Sequence, residues 1–140
     1  MFLGFRNHCK IDVLKGKTLV EVKRSVYDSN DALFFETADG EFYIMTHNQE
    51  WCENVCIDDI CGDFADLLNE EILTAEELNN DYPADEECIE NTYTWTFYHL
   101  ATFHGDVSIR WFGTSNGYYS ESAEFYKISE EYYIVHTKNK

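Results

Sequence analysis

The sequence predicts an α+β fold, mainly an antiparallel β-sheet or a small sandwich, with one or two short helices inserted in the middle. Two observations favour this class. Short segments in which apolar and polar residues alternate recur along the chain, which is typical of half-buried strands. Asp39-Gly40 is a strong two-residue hairpin signal between residues 32–37 and 41–46. With 140 residues the chain fits one domain.

The first half contains a strand at residues 18–26, the hairpin, and a short strand at residues 54–60. A two-residue turn places four apolar side chains of the hairpin on one side, which we assign to the core: Leu33, Phe35, Phe42 and Ile44.

Helices are predicted only in the middle of the chain. Asp63 can cap a short helix that runs through Phe64 and Leu68. Thr74-Ala75-Glu76-Glu77 has the form of a capping box, which predicts a second short helix. An acidic loop with Pro83 follows at residues 81–90.

The second half returns to strands. Aromatic residues alternate with threonines from Thr92 to Phe103, which favours a pleated surface. Further strands are predicted at residues 107–112, 121–128 and 132–136. We therefore divide the single domain into three parts: an extension (1–16), a core (16–128) and a C-terminal strand or tail (129–140).

Charge is the most informative property of the composition. The formal net charge is -17, and no Lys or Arg occurs between Arg24 and Arg110, whereas fifteen acids lie between Glu50 and Glu90. Such a chain repels the phosphates of nucleic acid and anionic membranes, so direct binding to either is not expected. Basic proteins are the expected partners, although an acidic surface can also serve solubility alone.

The remaining composition predicts a cytosolic protein. No apolar run is long enough to span a membrane, and the first residues do not resemble a secretion signal. The odd number of cysteines, five, is typical of thiols in a reducing compartment. The oligomeric state stays open, with a dimer through aromatic edge strands as one alternative.

Several blocks carry a family resemblance. They are Cys52-Glu53-Asn54-Val55 with Asp59-Ile60-Cys61-Gly62-Asp63, Tyr93-Thr94-Trp95-Thr96-Phe97-Tyr98, Ile109-Arg110-Trp111 and Ser115-Asn116-Gly117-Tyr118-Tyr119-Ser120-Glu121. Over residues 16–128 the chain resembles a family of small uncharacterised domains carried mostly by bacteriophages. A second cysteine is usual where this chain has Trp51. The resemblance implies a phage or prophage origin, action in the cytoplasm of a bacterial host, and no established activity.

Two small-ligand sites are alternatives of lower rank. Soft ligands suited to zinc cluster within fifteen residues, namely His47, Cys52, Cys56 and Cys61, but no Cys-x-x-Cys occurs and half-buried thiols are the favoured explanation. An isolated Arg beside aromatic and amide side chains could bind a nucleotide, with the residues Arg110, Trp111, Asn116, Tyr118 and Tyr119. The favoured alternative is that Arg110 pairs with an inward carboxylate and that the tyrosines pack against the sheet edge. No constellation of acid, base and nucleophile indicates an enzyme, and no cofactor is expected.

The leading hypothesis is a non-enzymatic phage accessory protein. Its acidic surface imitates a phosphate backbone and so binds and inhibits a basic, nucleic-acid-handling host protein, in an anti-defence role. The residues that we expect to contact this partner are Asp58, Asp59, Asp63, Asp66, Glu70, Glu71, Glu76 and Glu77, with Trp51 as an aromatic anchor.

Overall fold

The computed structural model describes residues 7–27, 30–47, 53–82, 92–115 and 121–138. Within these residues there are nine strands, two 3-10 turns (Ile11–Leu14 and Phe64–Leu67) and one helix, α1 (Glu130–Lys138). The strands are β1 (Asn7–Cys9), β2 (Leu19–Tyr27), β3 (Asn30–Thr37), β4 (Phe42–Thr46), β5 (Asn54–Cys61), β6 (Thr74–Tyr82), β7 (Thr92–Thr102), β8 (Gly105–Ser115) and β9 (Glu124–Ile128).

The strands form two antiparallel sheets that pack face to face. The five-stranded sheet has the order β1-β9-β4-β3-β2, and the four-stranded sheet has the order β5-β8-β7-β6. Every pairing between named strands is antiparallel. The predicted class, a mainly antiparallel sandwich, is therefore confirmed.

One hydrophobic core fills the space between the sheets. Because successive side chains of a strand point to opposite faces, β8 sends Val107, Ile109 and Trp111 inward, each at most 1% exposed. Tyr98 of β7 and Phe125 of β9 belong to the same core. The intervening side chains of β8 consequently face away from the core, on the outer side of the four-stranded sheet.

The helix α1 covers the outer face of the five-stranded sheet. Phe34 and Ile44 point toward it, and Tyr133 packs on them. The ring centroids of Phe34 and Tyr133 are 5.9 Å apart, and those of Phe42 and Tyr133 are 4.8 Å apart. The hydroxyl of Tyr133 also donates a hydrogen bond to Glu21 of β2. This sheet is therefore buried on both faces.

The β3–β4 hairpin is confirmed, but its predicted register is wrong. The turn holds three residues (38–40) instead of two, and Phe35 pairs with Tyr43. Leu33 and Phe35 lie in the inter-sheet core, whereas Phe42 and Ile44 face α1. Since both faces of the hairpin are buried, its apolar pattern does not distinguish one register from the other.

The helix predicted from Thr74 is wrong, because this segment is the strand β6. It pairs with β7 along its whole length, from Thr74 opposite Ala101 onward, and this tertiary pairing overrides the local capping pattern. The helix predicted after Asp63 shortens to one 3-10 turn, capped as expected because the Asp63 side chain accepts from the Ala65 N–H at 2.9 Å.

The strand predicted at residues 132–136 is also wrong, since α1 occupies this segment. Tyr133 and Thr137 are four residues apart and both buried, the spacing of one helix face. Ser129 Oγ accepts from the Tyr132 N–H at 3.1 Å at the start of the helix. The one α-helix of the described chain thus follows the sheets instead of interrupting them. The predicted acidic loop lies almost entirely outside the described residues, and no described helix is long and apolar enough to cross a bilayer.

Candidate functional site

The outer face of the four-stranded sheet is rich in aromatic side chains. Along β7, Thr94 and Thr96 point inward, while Trp95 and Phe97 point outward and are partly exposed. The inward position of Thr94 is stabilised by a hydrogen bond that its hydroxyl donates to the buried Glu121 carboxylate at 3.0 Å. In this part of the strand the aromatic side chains thus face outward and the threonines face the core, the reverse of the usual distribution.

Four of these residues form what we call the aromatic face: Tyr93, Trp95, Phe97 and Phe112. The ring centroids of Trp95 and Phe112 are 4.6 Å apart, and those of Tyr93 and Phe112 are 6.0 Å apart. Leu78 pairs with Phe97 across β6 and β7 and is 59% exposed. A contiguous apolar patch of this kind on a protein surface marks an interaction site more often than isolated apolar residues do.

Arg110 lies across the aromatic face. Its guanidinium carbon is 5.2 Å from the centroid of the Trp95 ring. Its Nε and Nη2 atoms donate to Oδ2 of Asp58 at 2.8 and 2.5 Å, with the Arg110 and Asp58 side chains 43% and 37% exposed. The cation is therefore held between a carboxylate and an aromatic ring.

A β-bulge in β5 decides which acids reach this face. The pairing of β5 with β8 shifts between Ile57 and Asp59, so that Asp58 is the extra residue. Because the bulge inverts the alternation, Ile57 and Ile60 both point toward the core, and Asp59 lies opposite Arg110 on the outer face. Asp58 and Asp59 are consequently side by side at this edge of the sheet.

Other predicted acids lie along two further borders of the same sheet. Glu76 of β6 is exposed and lies opposite His99 in the register of β6 and β7. Asp63 and Asp66 belong to the 3-10 segment beneath the β7–β8 turn, which Thr102 anchors by donating to the main-chain carbonyl of Asp66. The outer face thus has carboxylates at β5 and β6, and Asp63 and Asp66 add carboxylates at the adjoining end of the sandwich, where the 3-10 segment packs on the core and bridges to β2.

Most of the predicted acids make no ion pair with a Lys, Arg or His of the described chain. The exceptions are Asp58, which pairs with Arg110, and Glu70, whose Oε2 atom is 3.3 Å from His104 Nε2. The other six are Asp59, Asp63, Asp66, Glu71, Glu76 and Glu77, and all but Asp66 are exposed. Their negative charge is therefore presented to solvent.

Glu71 and Glu77 point elsewhere. Glu71 bridges to Thr18, the residue before β2, and Glu77 lies on the inward side of β6. Glu77 and Glu124 line a cleft of about 480 Å³ between the edges of the two sheets, together with Lys10. The cleft carries both signs of charge and extends the acidic surface around the β6 edge.

The proposed nucleotide site is not assembled by the described residues. Trp111 is on the opposite side of β8 from Arg110, 1% exposed, and its indole N–H points at Met45 Sδ, 3.3 Å away. The remaining members of this site, Asn116, Tyr118 and Tyr119, lie outside the described residues. The predicted aromatic anchor Trp51 and the predicted zinc ligand Cys52 also lie outside them.

The zinc ligands that the sequence indicates are also separated. His47 is buried and its Nε2 is 2.8 Å from Glu53 Oε2, whereas Cys56 and Cys61 are exposed on the outer side of β5. Among the described residues, no group of three or more His, Cys, Asp and Glu side chains is arranged to hold a metal ion.

The described thiols are held in their neutral form. Burial, and then the nearby carboxylates of Asp31 and Asp58, raise the pKa of Cys56 above its ordinary value. The hydrogen bond to Asp59 raises the pKa of Cys61. Since the thiolate is the nucleophile, these two thiols are poorly suited to covalent catalysis.

Sequence comparison places the chain in a family. A family model described as a domain of unknown function (DUF7448) matches residues 12–125, so the chain belongs to this family. The match ends within β9 and does not include α1. No match was found among curated proteins or among solved structures.

Proposed function

We propose that this member of the family is a non-enzymatic binding module that engages and inhibits a basic, nucleic-acid-handling protein through its acidic surface. The observation that carries the proposal is the display of Asp59 and Glu76 on the outer face and of Asp63 and Asp66 at the adjoining end of the sandwich, none of them in an ion pair with a Lys, Arg or His of the described residues. An acidic surface of this kind attracts the Lys- and Arg-rich groove with which such proteins hold a phosphate backbone.

The proposed cellular setting is the cytoplasm of a bacterial host, with the protein acting as a phage-derived inhibitor of a defence nuclease or a related enzyme. The support for this setting is the sequence resemblance to phage-borne domains, combined with the acidic surface. A DNA-imitating inhibitor occupies the groove that its target uses for nucleic acid, so inhibition requires no chemistry on the part of the inhibitor.

The geometry supports this function better than nucleotide binding. An anion-binding Arg needs a free guanidinium, but two nitrogens of Arg110 are engaged by Asp58. The structural alternative for Arg110, a pairing with a carboxylate, is therefore found, but its partner Asp58 lies on the outer face and not inward. A phosphate approaching Arg110 would also meet the carboxylate of Asp59 on the same face.

The first experiment is a pull-down from bacterial lysate with the triple charge reversal Asp59→Lys, Asp63→Lys and Glu76→Lys beside the wild-type chain. We expect the wild type to retain a DNA-binding protein at physiological salt and to release it at ~1 M salt. Excess double-stranded DNA should compete for the same protein. The triple variant should retain at least about tenfold less of it.

The matched control reverses three exposed acids away from the four-stranded sheet, namely Asp39 in the β3–β4 turn and Glu130 and Glu131 at the start of α1. It has the same net charge as the triple variant, so equal loss of binding in the two proteins would show that only total charge matters. Retention that survives high salt and is insensitive to DNA would contradict the proposal.

A further inference from the structure

The aromatic face is partly uncovered in the folded chain. Tyr93 is 36% exposed, Leu78 is 59% exposed, and no described helix or strand packs on this side of the sheet. The equivalent side of the five-stranded sheet is covered by α1. Aromatic and aliphatic side chains in this position lower their free energy when a partner removes them from water.

Arg110 shows what this face can hold. Its guanidinium lies over the Trp95 ring and donates to Asp58, two interactions that arginine makes together because its charge is spread over a planar group. Phe97 is the cross-strand neighbour of Arg110 on β7, and Asp59 is its neighbour on β5. A further aromatic ring and a further carboxylate therefore flank the occupied pair, one on each side of Arg110.

The charges at the border favour an arginine-bearing partner over other occupants. Asp59 and Glu76 stand at opposite long edges of the face without an ion pair in the described chain. Stacking platforms of exposed aromatic residues also bind single-stranded nucleic acid, but these carboxylates repel phosphates. A second copy of the chain would bring the same acids together, at a net charge of -17 for each copy.

We infer that the aromatic face docks arginine side chains of the basic partner, with the guanidinium groups stacked on the aromatic rings and paired with the carboxylates at the border. The inference rests on the proposed function and names the chemistry of its partner. It predicts a preference for arginine over lysine, because an ammonium group neither stacks on a ring nor presents a planar pair of donors.

The test measures the affinity of the whole chain for an arginine peptide and a lysine peptide of equal length by titration calorimetry. We expect the arginine peptide to bind about tenfold more tightly at physiological salt. Phe97→Leu keeps an apolar side chain but removes the ring, and should reduce this preference to about twofold. Phe103→Leu is the control, because Phe103 is 83% exposed in the β7–β8 turn, outside the face.

Equal affinities for the two peptides would overturn the inference while leaving an acidic binding surface intact. An arginine preference that Phe97→Leu leaves unchanged would also overturn it, provided that thermal unfolding shows this variant to be folded. If neither peptide binds, both the inference and the proposed function fail.

Discussion

The two sheets carry aromatic side chains on their outer faces, but the described part of the chain covers only one of these faces. On the five-stranded sheet Phe34 is 0% and Tyr126 is 5% exposed, because α1 lies on that side. On the four-stranded sheet Trp95 and Phe97 are partly exposed beside Arg110. Aromatic residues that point outward from a sheet therefore have two roles in this molecule, a second core in one place and a surface in the other.

The largest difference between the two faces is expected in stability. Phe34→Ala should lower the free energy of unfolding by about 4 kcal/mol, because it leaves a cavity under α1. Phe97→Ala, the same change on the aromatic face, should lower the free energy of unfolding by only about 1 kcal/mol. Urea unfolding of both variants measures the two values. Equal losses would mean that the aromatic face is packed as tightly as the covered one.

A smaller loss of stability is expected when the ion pairs around Glu41, at the five-stranded sheet, are weakened. Glu41, in the β3–β4 hairpin, accepts from Lys17 at 2.7 Å, from Lys127 at 3.1 Å and from the Tyr43 hydroxyl at 2.8 Å. The hydrogen bond from Lys17 is the main cause, followed by those from Tyr43 and Lys127, and together they lower the pKa of Glu41 to about 2. Glu41→Gln should reduce stability at neutral pH by about 1 kcal/mol.

The pH dependence follows from the direction of that shift. A carboxyl whose pKa falls on folding stabilises the native state fully above its unfolded value of 4.5, and this contribution is lost as the pH falls toward about 2. Wild type and Glu41→Gln should therefore differ in melting temperature at pH 7 and converge near pH 2. A difference that is constant with pH would exclude the carboxylate as its cause.

The smallest change in stability is expected for a substitution on the aromatic face itself. Arg110→Ala should change stability by less than about 0.5 kcal/mol, since the Arg110–Asp58 pair is solvent-exposed. It should also strengthen binding of the arginine peptide about threefold, because Trp95 and Asp58 become available to the peptide. Lys15→Ala removes the same charge from an exposed position elsewhere and is the control. Weaker binding by Arg110→Ala would mean that Arg110 itself contacts the ligand.

Strands were predictable where the alternation of side chains is strong. β7 and β8 follow it, because a half-buried strand needs a period of two, whereas the β3–β4 hairpin, which is buried on both faces, was predictable from its turn residues. The helices were not predictable, because the strand or sheet on which a segment packs determines its structure more than its local capping residues do. Thr74-Ala75-Glu76-Glu77 has a capping pattern yet pairs with β7, and the β-branched and aromatic residues after Ser129 form a helix that packs on a sheet.

The candidate site was only partly predictable. The sequence identified Asp58, Asp59 and Glu76 by charge, but it gave no means of placing them on one face. The placement of Asp59 on that face depends on the bulge at Asp58, which becomes visible only when β5 is paired with β8, and that of Glu76 depends on the pairing of β6 with β7. The aromatic residues of β7 were identified as a strand pattern and not as a surface, since alternation alone does not say which side faces the core. The physical reason for that side is the buried Glu121, whose carboxylate accepts hydrogen bonds from Thr94 of β7 and from Ser115 of β8.

The place of β9 between β1 and β4 has a consequence for the order of folding. Asn7 of β1 pairs with Lys127 of β9, so this contact closes a loop of almost the whole domain. The four-stranded sheet needs only residues 54–115, and its β7–β8 hairpin is local. During synthesis on the ribosome, the sheet with the open face can therefore assemble before its companion is complete.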